Sequence, residues 1–370
     1  MAAGVAAVLV AAAAAAGFTL TGGDEGTAGE QASRSGSESQ APAPAPTPRA
    51  LPAEVRGVHV TMSLMSVRGK YAHYLRLARD GLNALEVDVK DENGEVAFRS
   101  PEAPLTRSAG TARAYYDPRR VAAAAHRRGL YLIGRVVVFE DPLLSERKPS
   151  MAIGLRGGGI WRNAAGLGWT NPYDKAVWKY NVDVAVAAAK AGFDEIMFDY
   201  VRFPSDGDVD AAVYRPRLHL AQGRVIASFL RYARSRLEPL GVRVGAAVFG
   251  LSATRNLGIG QRPRLLAPYL DVIHPMVYPS HFGPGEYNLP EPEADPGDTV
   301  WFSLRDFVSE LRGQETRLVP WLQDFSINRT YSVAEIQEEI ASARAWQSAG
   351  FLLWNASGVY TPEALKAPSE

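Results

Sequence analysis

The residues of this chain best placed to do chemistry are carboxylates that end apolar runs. In IMFDYVRFPSDG (196–207) a run with the character of a buried strand stops on Asp199, and Tyr200, Arg202 and Phe203 follow before a Ser-Asp-Gly turn. WLQDF (321–325) places Asp324 after Trp321 in the same way, and FEDP (139–142) offers Glu140 or Asp141. Acids in this setting suit hydrolysis of a glycosidic bond. One carboxylate attacks or activates water while a second acid protonates the departing oxygen. Asp199 is the expected nucleophile or base, Asp324 its preferred partner and Asp141 a further candidate, although an acid before proline can simply shape a turn. Arg202 is expected either to clamp substrate or to act as the counterion of Asp199.

Sugars present apolar faces that stack on aromatic rings, and the chain supplies such rings near the same strand ends. Trp161 and Trp169 lie in GGGIWRNAAGLGWTNPY, and Tyr200, Tyr278, Trp321 and Trp354 at or just past apolar runs. Packing beneath long loops explains aromatics of this kind equally well. Asp88, Lys90, His274, His281 and Asn355 complete the expected sugar contacts.

Other chemistries fit poorly. The chain has no cysteine, which excludes disulfides, thiolate metal sites and a cysteine nucleophile. Its six histidines form neither a His-x-His nor a His-Glu-x-x-His pattern. A zinc site of His59, His274 and Asp199 is conceivable as geometry but lacks the usual ligand pairs, so no metal and no cofactor are expected. Gly157–Gly159 has no Lys-Ser/Thr after it and no strand-to-helix context to make a phosphate cradle. Forty basic residues balance forty acidic ones, which leaves no excess to collect a nucleic-acid backbone.

The elements that must carry these residues are regular from Leu51 onward. Eight β-rich runs (56–62, 83–90, 131–139, 195–203, 243–250, 271–279, 317–325 and 351–357) alternate with helical stretches punctuated by capping residues and glycines. This alternation, without hairpin signals, predicts an α/β fold of the (β/α)8 TIM-barrel type. A doubly wound sheet would call for a glycine-rich loop after the first strand, and VTMSLMSVRGK is not one. Strand alternation then points His59, Glu86, Asp88, Lys90, Arg135, Met197, Asp199, His274 and Tyr278 into the barrel. Glu86, Asp88, Arg135 and Asp199 are equally able to form a buried ion network that holds the register.

Upstream, residues 1–20 are apolar and alanine-rich and read as a signal peptide or membrane anchor. Residues 21–50 are rich in Gly, Ser, Ala and Pro and read as a disordered tether. The barrel is assigned to 51–362 and a short tail to 363–370. The expected location is secreted or on the outer face of the cell membrane.

The segments NALEVDVKDENGEVAF, VVVFEDP, GLGWTNPY, GFDEIMFDYVRFPSDG, YPSHFGPGEY, PWLQDF and LLWNAS resemble, in order, an uncharacterised bacterial family called putative glycoside hydrolases. The resemblance runs from about Arg56 to about Tyr360. It implies a glycosidase-type TIM barrel in an exported or surface-tethered protein, with no substrate established for the family. In related barrel glycosidases the nucleophile ends strand four, which falls on Asp199 here. The chain departs from the pattern at strand five, where the family's aspartate corresponds to Ala247 in GAAVFG. The expected function is therefore hydrolysis of an extracellular or cell-envelope polysaccharide, the alternative being a barrel that binds carbohydrate without cleaving it.

Overall fold

The computed structural model describes residues 46–365 apart from Leu218. The apolar stretch 1–20 and most of the expected tether lie outside the described residues. Eight parallel staves follow in chain order: β1 Val55–Val60, β2 Ala84–Lys90, β3 Tyr131–Val137, β4 Glu195–Asp199, β5 Arg243–Phe249, β6 Val272–Val277, β7 in two pieces (Arg317–Leu318 and Trp321–Gln323), and β8 Gly350–Trp354. Each pairs with its neighbour, and β8 pairs back with β1, so the sheet closes into the expected barrel. β7 breaks at Val319-Pro320, where proline has no N–H for the ladder.

Helices α1 Lys70–Arg76, α2 Pro118–His126, α3 Lys175–Ala191, α4 Gln222–Leu237, α5 Pro263–Leu266, α6 Pro296–Glu310 and α7 Val333–Ala345 each follow the strand of the same number. Their ends obey local chemistry. Asp117 accepts from the N–H groups of Arg119 and Arg120 at the start of α2, and Ser332 with Glu335 forms a capping box on α7. α3 is capped by Asp174, whose side chain accepts from the Ala176 N–H, and it ends on Gly192 at φ 106°. No helix among the described residues is long and apolar enough to cross a membrane.

Alternation sorts the strand side chains into two cores. Leu85, Val87, Ile196 and Phe198 pack outward against helices, while Tyr131, Ile133, Met197, Ala247 and Trp321 fill the barrel. The inward placement expected for Lys90 fails. Asp88 lies opposite Arg135 but Lys90 lies opposite Val136, so Val89 is an extra residue in β2. This bulge rotates Lys90 into the helix layer. There its Nζ lies 2.8 Å from Asp141 Oδ2 and donates to the Val137 carbonyl at 2.6 Å, with the Tyr180 ring of α3 5.8 Å away.

Polar groups occupy the lower barrel as well. Glu195 on β4 is fully buried and accepts from the Tyr131 hydroxyl at 3.1 Å, with His274 Nε2 at 2.8 Å. Gly245 on the intervening β5 leaves them room, since a Cβ there would stand 2.5 Å from Glu195 Oε1 and 3.0 Å from His274 Nε2. Gly245→Ala is therefore expected to destabilise the protein by about 1–3 kcal/mol, as overpacking of a tight interior does. A urea unfolding midpoint equal to that of the unsubstituted protein would contradict this close approach.

Candidate active site

The C-terminal ends of β2, β3 and β4 converge on one guanidinium. Arg135 Nε and Nη2 both lie 2.8 Å from Asp199 Oδ2, Nη1 lies 2.8 Å from Asp88 Oδ1, and Nη1 also reaches Glu92 Oε2 at 3.2 Å. Arg135 is 3% exposed and Asp199 5%, so the pairing takes place in a nearly dry setting. Because Arg135 grips a single oxygen of Asp199, the other, Oδ1, accepts only the adjacent Tyr200 N–H, at 2.7 Å. Tyr200 adopts φ 47°, a left-handed conformation uncommon outside glycine, and the strand ends there.

A second carboxyl stands at the end of β3. Glu140 is pushed up to about 7 by burial, against the lowering pull of Arg202, and the charges of Asp206, Glu92 and Asp199 add to the rise. Asn163 donates to its Oε2 at 3.3 Å, and the backbone of Glu140 bridges to Trp169. Arg202 is buried and caged by aromatic rings, with its guanidinium carbon 4.9 Å from Trp169, 5.1 Å from Tyr200 and 4.8 Å from Phe249. It donates to Phe203 O and Ser205 Oγ and makes no salt bridge to Asp199, whose guanidinium partner is Arg135.

The other sequence candidates divide by place. Asp324 is pushed up to about 6 by burial, opposed by hydrogen bonds from the Thr361 N–H and hydroxyl, each 2.8 Å. Both its oxygens are thus engaged with the closing loop rather than with Arg135. Asp141 is fully buried, caps the short helix Pro142–Arg147 through the Leu144 N–H and pairs with Lys90, an arrangement that braces structure. Trp161 and Trp169 lie beneath the loop after β3, 1% and 0% exposed, with the Trp161 indole donating to Asp208 O. His274 is deep in the barrel, its ring between Glu195 and the Val319 carbonyl.

At the mouth itself Trp354, Phe325 and Met276 are half-buried lids on the inner core, with Tyr278 under Phe325 at 5.6 Å between centroids. His281 lies against the same two rings and is exposed. Trp321 is buried edge-on to Trp354, and Asn355 ties its amide to the Asp324 carbonyl. Trp354 also stacks on His59 at 4.2 Å and stands 5.4 Å from the Arg135 guanidinium.

One cluster was not anticipated as a unit. His59 does not meet His274; its Nδ1 contacts Glu86 Oε2, and its Nε2 lies 3.7 Å from Asp88 Oδ2. Burial lowers the His59 pKa, but Glu86 and Asp88 outweigh burial and hold it above the ordinary histidine value. His59, Glu86 and Asp88 offer ligand atoms within 4.8 Å of one another. The β1–β2 alignment of His59 with Glu86 follows from alternation, whereas Glu92 reaches Arg135 from a loop and carries no periodic signal.

The family described as a putative glycosyl hydrolase domain matches residues 57–360. Curated proteins give no match. Among solved structures, the PgaB (BpsB) glycoside hydrolase domain from Bordetella bronchiseptica superposes with a TM-score of 0.59 at 13% identity, over 82% of this chain and 95% of that one. A family 20 exo β-N-acetylglucosaminidase from Vibrio harveyi, in an inactive mutant form, gives 0.54 at 12% identity over 84% and 51%. At these identities the likeness is one of fold. A hypothetical protein from Ruminiclostridium thermocellum is 35% identical over 51% of this chain and 96% of its own, with a TM-score of 0.46.

Arg135→Met would leave Asp88 and Asp199 buried without their cation. The expected loss is about 3–5 kcal/mol, the range for breaking one side of a buried ion pair. Chemical denaturation measures it, and a loss below about 1 kcal/mol would mean that solvent already screens the cluster.

Proposed function

The chain belongs to the putative glycosyl hydrolase domain family, and on that premise we propose that it cleaves a polysaccharide of the cell envelope or its surroundings with Asp199 and Glu140 as the working carboxyl pair. The observation that carries this reading is the contrast between the two acids. Glu140 keeps its proton to about pH 7, while the Asp199 carboxylate faces a guanidinium. A buried acid that holds its proton suits the donor's role, and an acid with acceptor capacity left on one oxygen suits the role of base or nucleophile. Glu140 would give its proton to the glycosidic oxygen as the bond to the anomeric carbon breaks. Asp199 would supply the electron pair from the other side, either to that carbon directly or by taking a proton from water. Asp324, the partner favoured from sequence, is the weaker choice because Thr361 engages both its oxygens.

Tyr200, Phe249, Phe325 and Trp354, all half-buried around the mouth, are the rings placed to stack on sugar faces. The apolar stretch 1–20 and the Pro/Ala/Ser/Gly-rich segment after it support export, with the barrel free or held at the outer face of the membrane.

Two observations favour a second reading, a barrel that holds glycan without cleaving it. Asp199 is only 5% exposed beside its matched arginine, and Ala247, on β5, is packed in the apolar interior.

The test is a panel of polysaccharides and aryl glycosides offered to the unsubstituted protein and to Asp199→Asn, Glu140→Gln and Asp324→Asn. Hydrolysis should fall at least about 1,000-fold in Asp199→Asn and about 100- to 10,000-fold in Glu140→Gln, with glycan retention surviving in both. For glycosides with an activated leaving group the Glu140→Gln loss should shrink, because departure then needs no proton. Glycan binding with no turnover on any substrate would establish the second reading.

The pH profile gives a separate check. An acid that must be protonated works below its pKa, so kcat/KM should fall as pH rises through about 7. Glu140→Gln should lack that alkaline limb. Persistence of the limb in the variant would remove Glu140 from the reaction.

A further inference from the structure

We infer that His59, Glu86 and Asp88 form a binding site for one divalent transition-metal ion, of the zinc or manganese kind, inside the barrel beneath the Arg135 cluster. The site is separate from the glycoside chemistry proposed above and does not depend on it. His59 is the last but one residue of β1, and Glu86 and Asp88 face the same interior from β2, where register sets Glu86 beside His59. All three are buried, at 1%, 0% and 2% exposure, and their ligand atoms lie within 4.8 Å of one another.

Unpartnered atoms point to a missing ligand. His59 Nδ1 is taken by Glu86 Oε2, while His59 Nε2 and Glu86 Oε1 have no hydrogen-bond partner although both are buried. Buried polar atoms are rarely left in that state. Nε2 and Asp88 Oδ2 stand 3.7 Å apart, beyond a hydrogen bond but fitting two ligands that share an ion at about 2.0–2.2 Å from each. A carboxylate on Nδ1 is also the usual way a metal-binding histidine is oriented, with its other nitrogen left to the metal. His59 Nε2 and Asp88 would therefore touch the ion, and Glu86 would hold the ring and add a second negative group.

Charge leads to the same place. Asp88, Glu92 and Asp199 gather around one guanidinium, Arg135, and Glu86 lies against His59, so four acids face at most two cationic groups and the cluster is short of positive charge. An imidazole with carboxylates suits zinc or manganese better than the all-oxygen preference of calcium or magnesium. The bound ion would brace Asp88 from below while Arg135 holds it from above.

The full chain, stripped with a chelator and dialysed separately against zinc chloride and manganese chloride, should retain about one equivalent of at least one ion by elemental analysis. Its melting temperature should rise by about 5 °C at a hundredfold excess over Kd. His59→Gln and Asp88→Asn should each abolish retention, Glu86→Gln should weaken it about 10- to 100-fold, and His73→Gln, on a surface helix, should change nothing. Less than a tenth of an equivalent with both ions overturns the proposal, and so does retention that survives both His59→Gln and Asp88→Asn. Should those variants fail to fold, X-ray absorption of the loaded unsubstituted protein decides. An imidazole nitrogen in the coordination shell supports the site, and a shell of oxygen alone refutes it.

Discussion

The candidate site depends on a single buried guanidinium. Arg135 joins the ends of β2, β3 and β4 by taking Asp88 and Asp199 on different faces of its fork and Glu92 on the rim. Several fixed N–H groups on one rigid plane can meet several acids at once, which a lysine ammonium on a flexible stem does not reproduce. The way Arg135 spends its donors also shapes the site. Two of them converge on one oxygen of Asp199, so the other oxygen keeps acceptor capacity next to the mouth. Removal of the arginine would leave negative groups facing each other where water has little access.

Below that cluster the barrel is polar to an unusual depth. Barrel interiors of this type are mostly filled by branched apolar side chains. Here His274 and Tyr131 meet Glu195 in a lower layer, and His59 meets Glu86 in the layer above. The acids are tolerable because each finds a donor or cation at hydrogen-bond range, and because Gly245 removes the side chain that would otherwise fill the same space. Apolar side chains such as Ile133, Met197 and Ala247 pack between these polar groups, and Trp354, Phe325 and Met276 close the interior over at the rim. The result is a stack of charges reaching solvent at one end.

The loop after β3 decides which acid meets that end. Glu140 and Asp141 are neighbours in sequence with opposite surroundings. Asp141 turns back to Lys90 and the N-terminus of a short helix, which anchors the root of the loop to β2. Glu140 turns toward Asn163 and the Arg202 cage, where little water reaches it and its proton is held more tightly. The scaffold keeps the loop in place, and the loop sets the acidity.

Much of this was legible in the residues alone. Strand alternation, helix caps and glycine stops are short-range rules, so eight staves, their helices and the inward parity of His59, Glu86, Asp88, Arg135 and Asp199 could be read before any fold was seen. The end of β4 marked Asp199 for the same local reason. The remaining features required the folded chain. One extra residue at Val89 reversed Lys90, and a bulge leaves no mark in the hydrophobic pattern when the residues on both sides are buried. Whether Glu140, Asp141 or Asp324 is the acid poised near neutrality depended on which groups distant segments brought against them: Arg202, Lys90 and Thr361. Sequence by itself determined the periodic framework, because its causes act within a few residues. Tertiary structure alone decided protonation and pairing, because those are set by desolvation and by charges that meet only when the barrel closes.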